Sequence, residues 1–503
     1  MTLKAVWIVL LGCSLASAAL LRSHLLRARR DLGLEPLVEA KSVSADAERA
    51  STTIVLTCAA TGVFRALAID YFWIRAVRLQ QAGQFFESTT LSEIITSLEP
   101  RLPVVWVFHA NNLAYNITAA LPPRARYPWI LEAVHLLRDK APLYNPRDPT
   151  ILLNLAFVFQ HKIGLDFDDA GYLYRSELSR TFDVERGSPA WRKLLEEWRI
   201  DPVELQRVEN KWAVRLDFRA AESHALYWAE IGLDAPGTGT DAFARRGLFH
   251  VVRGSILQLF TGGHAVRAPV GRLYAFIPDL QVTEAVRRIL ELTMERYRNS
   301  PTASALAEDA YLQCQGKLVY FLFLYGREVE ARARFVEARD RLAPSATSLE
   351  DFLLTHIGFL TEERSPAGSE GPGDATGAGA RAGKPDLGAM AACLDSALYL
   401  ELAGEEKLAG GFRSLARLLH GRLPAGARRP FDDYVRAATR RRVALWMEAP
   451  RLRSWVPESL KSVLSAGGPF AEDLGLRERG ELPFRLELLD PLRAMAEESP
   501  EDR

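Results

Sequence analysis

The chain has 503 residues, 48% apolar and 25% charged, ordinary proportions for a folded protein, and enough for roughly two to four domains or one long array. Lysine plus arginine and aspartate plus glutamate each number 63, so the formal net charge is zero. That removes the global attraction that nucleic acid or an acidic substrate would exert, and no nucleic-acid partner is expected. The four cysteines, Cys13, Cys58, Cys314 and Cys393, include no close pair. They form neither a disulfide framework nor a zinc-ligand pattern, and they suit the role of small buried hydrophobes.

The chain opens with "MTLKAVWIVLLGCSLASAALLRSHLLRARR", in which Ala5 to Leu21 carry no charge. This stretch, residues 1–21, lies at the lower edge of a spanning helix and is long for a signal-peptide core. Three readings fit it: an uncleaved membrane anchor, a signal cleaved after Ala16-Ser17-Ala18, or a lipobox ending at Cys13. Arg22, Arg27, Arg29 and Arg30 follow it, against Lys4 before it, a bias that holds the remaining chain on the cytoplasmic side. A cleaved segment would send the chain across instead. Residues 22–51 are polar and arginine-rich, as in a stalk.

A second apolar run, "TTIVLTCAATGVFRALAIDYFWI" (52–74), contains Arg65 and Asp70. In a second span each would cost about 2.5–3.5 kcal/mol near the bilayer centre, so the run reads instead as a buried first helix with its charges at the rim. From there to about residue 363 the apolar residues recur at three and four, as in "EAVRRILELTMERYRN" and "GKLVYFLFLYG". Strand signals are nearly absent, and the expected fold class is all-α. Residues 364–386, rich in Gly, Ala, Pro and Ser, read as a flexible linker. Residues 387–503 read as a smaller C-terminal helical module.

Within 52–180 the helices repeat. Phe72, Ala76 and Leu79 recur at Trp106, Ala110 and Leu113, each 34 residues on. Gly83 then falls at a turn between two helices and Pro100 where the second must stop. A third repeat places Ala156 and Phe159 on its first helix and Ala170 and Tyr174 on its second. Residues 311–363 hold a further pair, marked by Gly326, Ala331, Phe335, Ala338 and Pro344. Small residues let two helices approach, an aromatic fills the space beside them, and proline ends the second helix.

On these residues the chain resembles the tetratricopeptide-repeat family, in particular bacterial membrane-anchored repeat proteins, over about 69–180 and 311–345. It departs from the pattern at Ser88 and Ser92, where alanine and an aromatic are expected, and at Pro142. Residues 181–310 fit no repeat. The resemblance implies a tetratricopeptide-like (TPR-like) α-solenoid of antiparallel helix pairs whose concave groove binds a protein partner, a peptide or a helix. Carried onto this chain, the groove positions include Asp70, Trp73 and Gln80 in repeat one, Asn111 and Tyr115 in repeat two, and Phe157, Gln160 and His161 in repeat three. A groove filled by another helix of the same chain is the alternative.

Chemical motifs are scarce. No H-E-x-x-H occurs, and "GAGARAGKP" lacks the spacing and the Ser/Thr of a phosphate loop. "DFDDAGYLYRSE" spaces its acids like a calcium loop but has Ala170 at its fifth position, so helix capping by Asp166 or Asp168 explains the acids better. His109, Asn111 and Asn112 form either a mutually bonded buried set or part of the groove, and the "TRRR" run at 439–442 reads as a solvated helix face, with an acidic partner as the alternative. The expectation is a non-enzymatic, membrane-anchored scaffold without cofactor or metal. The alternatives are a structural subunit of a membrane complex, or an enzyme using Trp191, Trp198, Trp212, Trp228, His224 and His250 of the unassigned region.

Overall fold

The computed structural model describes residues 63–165, 168–235, 242–267, 274–356, 387–424 and 428–448, then 453, 456–465 and 474. The expected anchor, stalk and chain end, the stretch 52–62 and the linker 364–386 lie outside the described residues. Those described form eighteen α-helices and a single two-stranded ribbon, a mostly helical protein as the apolar periodicity implies. The chain divides into two compact units, one made of residues up to 158 with 231–245, the other of 159–230 with residues from 246 onward.

In the first unit, α1 (Val63–Gln81) and α2 (Phe85–Leu98) form a helical hairpin, and α2 packs on α3 (Pro103–Asn111). The α1–α2 turn holds Gly83 at φ +75°, and Gln84 N–H reaches back to Leu79 C=O at 2.9 Å, closing the end of the helix. Ala76 and Ala110 are fully buried, as close helix approach requires. α4 (Pro123–His135) packs on the π-helical turn Asn112–Ile117 that extends α3, and α5 (Pro149–Phe157) packs on α3. Prolines open α3, α4 and α5 at a position where no amide donor is needed, and Asp148 caps α5 by accepting from Thr150 N–H and Ile151 N–H. Pro142 falls in a 3₁₀ turn, Ala141–Leu143, beyond a second π turn, Leu136–Lys140.

The second unit starts inside a third π turn, Val158–Ile163. Its helices begin with α6 (Gly171–Thr181), α7 (Pro189–Glu197) and α8 (Pro202–Trp212). Next come α9 (Ala221–Leu233) and α10 (Ala242–Gly262), which each contribute residues to both units. Strands β1 (His264–Arg267) and β2 (Tyr274–Ile277) pair antiparallel, with His264 opposite Ile277. Four residues each, they are too short for alternation to announce them. Then follow α11 (Thr283–Arg296), α12 (Pro301–Leu324), α13 (Glu328–Leu342), α14 (Leu349–Thr355), α15 (Leu387–Leu402), α16 (Glu406–Gly421), α17 (Phe431–Glu448) and α18 (Glu458–Ser465).

The turn at Gly83 occurs twice more. Gly326, at φ +72°, joins α12 to α13, and Gly404, at φ +84°, joins α15 to α16. In all three, the glycine N–H bonds the carbonyl three residues back and the next N–H bonds the one five residues back. The residues five positions after these glycines, Ser88, Ala331 and Ala409, are all buried. The α15–α16 hairpin therefore repeats the frame of the first, a match that the sequence reading missed in the C-terminal module.

Candidate functional site

Six of the eight expected groove residues belong to the first unit. Asp70, Trp73 and Gln80 lie on α1, Asn111 ends α3, Tyr115 sits in the adjoining π turn, and Phe157 ends α5. Asp70 and Phe157 are exposed, while Trp73, Gln80, Asn111 and Tyr115 are half-buried. Trp73 stacks on Phe108 with ring centroids 4.8 Å apart, so one face of its indole already has a partner in the fold. Burial pushes the Tyr115 phenol above its ordinary range, which keeps it neutral and able to donate.

Gln160 and His161 fall in the second unit, and Gln160 does not face a groove. It is buried, and its amide donates to Val251 C=O at 3.0 Å and to the Ser255 hydroxyl at 3.1 Å, both on α10. Gly254, between them, leaves the space that the amide enters. A glutamine at a groove position is here taken up by a neighbouring helix. His161 is half-buried, and burial together with the Lys162 charge lowers its pKa.

The polar helix around residue 109 separates into two environments. Asn112 is buried, donating to the Ser92 hydroxyl at 2.9 Å and accepting from Asn116. Ser88 donates to Ala76 C=O. The two serines that depart from the repeat pattern thus satisfy an asparagine from the next helix pair. His109 is buried too, and its Nδ1 has no hydrogen-bond partner among the described residues. Burial and then the Lys140 charge, opposed by Glu132, hold its pKa down at about 4.

Charged groups are also buried in the second unit. Lys162 Nζ lies 2.6 Å from Asp168, which additionally accepts from Tyr174 Oη at 3.0 Å and Ala170 N–H at 2.9 Å. Burial alone would raise the Asp168 pKa, but hydrogen bonds with Asp169, Lys162 and Ala170 hold it below the usual carboxylate range. Asp168 therefore organises the approach to α6, and Glu177, the last acid of the calcium-like spacing, pairs with Arg180 instead. Asp166 lies outside the described residues. Among those described, no group of three or more His, Cys, Asp or Glu side chains is placed to hold a metal ion.

The aromatic cluster of 181–310 forms core. His224 is fully buried, stacked on Phe159 with centroids 4.6 Å apart and enclosed by Phe182, Trp198 and Phe218. Its Nε2 bonds Phe218 C=O at 2.9 Å. Trp191 packs on Phe182 and Phe218, and Trp212 Nε1 donates to the buried Glu230, which also accepts from Lys211. His250 is exposed and stands apart, near Tyr297.

The reading of "TRRR" as a solvated face is corrected. Arg441 and Arg442 are largely buried side chains that both bond Asp395 on α15, at 2.9 and 2.5 Å, while Arg440 donates to Leu464 C=O. A run of like charge has condensed around one buried carboxylate. The one face with uncovered apolar side chains on α1, formed by Leu67, Tyr71 and Ile74, was not singled out in the sequence, although its i, i+4, i+7 spacing opposite Ala76 was available there.

No protein-family model, curated protein or solved structure matches the chain.

Proposed function

We propose that this protein is a non-enzymatic, membrane-anchored, tetratricopeptide-like scaffold that holds a protein partner on the face carrying Trp73, Asn111, Tyr115 and Phe157. The observation that carries the reading is the recurrence of one hairpin frame. Gly83, Gly326 and Gly404 adopt the same left-handed turn, and the helices around them meet at small buried residues. Stacked pairs of this kind leave one row of side chains for recognition. On α1, α3 with its π turn, and α5, the residues Trp73, Asn111, Tyr115 and Phe157 keep aromatic and amide groups partly accessible, chemistry suited to an extended peptide. The groove as proposed excludes Gln160, whose hydrogen bonds are already made. The anchor is the uncharged stretch Ala5–Leu21.

The test is capture by crosslinking from native membranes, comparing the full chain with a Tyr115→Ala/Phe157→Ala double variant of unchanged melting temperature. Loss of the principal partner by about tenfold or more is expected for two aromatic anchors. An unchanged partner set at equal stability rejects the groove.

A further inference from the structure

We propose that the outer face of α1 lies on an anionic membrane surface, an inference that rests on the membrane-anchored reading above. This 19-residue helix is unusual in having Ala76 as its one fully buried residue among those with described side chains. At about 100° per residue, Leu67, Tyr71, Ile74 and Arg78 all fall within roughly 40° of the direction opposite Ala76. Leu67 is 63% exposed, Tyr71 58% and Ile74 55%. Arg78 is exposed at the C-terminal end of this face, while Asp70, about 60° from its centre, and Arg75, about 80° away and donating to the Tyr71 hydroxyl at 3.3 Å, are exposed at its borders. Arg65 is engaged elsewhere, in an ion pair with Glu99 at 2.7 Å. The face therefore combines two aliphatic side chains and a tyrosine with Arg78, and its borders add one aspartate and one arginine, leaving one net positive charge, a pattern compatible with a helix lying in the plane of a bilayer interface.

Two considerations choose the occupant. A stable dimer uses about 800 Å² per partner, and three side chains spread over about two turns fall well short of that, which argues against a second copy. The chain leading into α1 also favours lipid. It runs from the uncharged stretch ending at Leu21, through Arg22, Arg27, Arg29 and Arg30 and then a segment with five acids (Asp31, Glu35, Glu39, Asp46, Glu48) against Lys41 and Arg49, to the uncharged run Thr52–Phe64 that precedes the body of the helix in sequence. With the start of the chain in the bilayer, α1 is tethered near the surface, and its arginines match anionic headgroups. The helix does not have to span: among the described residues no helix is long and apolar enough to do so.

The test places a photo-crosslinking amino acid at Ile74, or at the exposed Val336 of α13 as a control, in the full chain. The protein is reconstituted into vesicles of phosphatidylglycerol with phosphatidylcholine, or of phosphatidylcholine alone. Lipid adducts at 74 are expected several-fold above those at 336, with a drop in the uncharged vesicles. A covalent protein dimer through 74 would identify a second copy as the occupant and overturn the proposal, as would equal lipid labelling at the two positions. Carbonate extraction of the same vesicles reports the anchor separately. A chain that is extracted yet labels lipid at 74 rejects the anchor alone, and an unextracted chain without that label rejects the surface contact alone.

Discussion

The hydroxyl of Ser88 donates to the carbonyl oxygen of Ala76 at 2.9 Å, across the contact between the first two helices, and both residues are fully buried. One turn further along α2, Ser92 accepts the amide of Asn112 at 2.9 Å, and Asn112 in turn accepts from Asn116. The interior of this helix pair is joined by hydrogen bonds where a purely apolar contact would otherwise be expected. Asn112→Leu removes the central member: Ser88 and Ser92 still donate to Ala76 C=O and Ser88 C=O, but Ser92 loses an accepted bond and the half-buried Asn116 amide loses its acceptor, at a cost of about 1 kcal/mol. Replacing Ser88 and Ser92 with alanine in that background recovers part of the loss. Thermal melts of the single and combined variants measure the coupling, and simple additivity would show the network to be inert.

Adjacent glycines in α16 have opposite expected effects. A Cβ on Gly411 would stand 1.9 Å from the backbone carbonyl oxygen of Leu324, which cannot move without displacing the end of α12. Gly411→Ala is expected to destabilise by about 1–3 kcal/mol or more through overpacking. Gly410 has open space at the same point, so Gly410→Ala gains about 0.5–1 kcal/mol of helix propensity. Denaturant titration of the two variants decides this, since only the close approach of α16 to α12 separates them.

Asp395 is 3% exposed and accepts from two guanidinium groups, those of Arg441 and Arg442. Asp395→Asn leaves both guanidinium groups against a neutral partner at a largely buried position, a change worth up to about 3–5 kcal/mol when a buried pair is broken. Loss of the α15–α17 contact should appear as increased hydrogen exchange in both helices. Wild-type protection would mean that these arginines find water instead.

His109 sets an acid limit on the first unit. Its folded pKa of about 4 lies below the ordinary 6.5, so the unfolded chain binds the extra proton between those values. Stability is complete above about pH 6.5 and falls as the pH drops toward 4, by an amount on the order of 3 kcal/mol. Glu132 acts in the same direction. Hydrogen bonding with His135, and then with Lys140, outweighs burial and holds its carboxyl at about 2, so its contribution is lost as pH falls through that value. In His109→Gln the slope between pH 6.5 and 4 should flatten. An unchanged slope would place the titrating group elsewhere.

The legible parts of the sequence were those where one residue type has one physical use. Gly83 marks a left-handed turn, Ala76 and Ala110 mark close helix contacts, and Pro100 follows the end of α2, whereas the prolines that open α3, α4 and α5 were not read as helix starts. Long helices showed through their periodicity. What stayed hidden depended on partners far along the chain. Arginines 441 and 442 look like surface until Asp395, 46 and 47 residues earlier, is placed beside them. Gln160 looks available until Gly254 and Ser255 come against it, more than ninety residues later. The π turns after Asn111 and Phe157 were also invisible, because an extra residue per turn shifts faces without altering composition.

The carbonyl oxygen of Pro100 accepts the indole N–H of Trp106 and the side-chain amide of Asn145, each at 2.7 Å. A single backbone atom thus clasps three places in the chain, and Trp106 also stacks on Tyr144 beside that clasp. The segment from Trp106 to Asn145 is held at both ends at one oxygen, in addition to the packing of α4 on the π turn that extends α3. Between those ends, the exposed turn at Ala119–Ala120 separates the π turn from α4 and is where added length would disturb the clasp least. Insertions at Ala119–Leu121 should therefore be accepted where insertions between Pro100 and Trp106 are not.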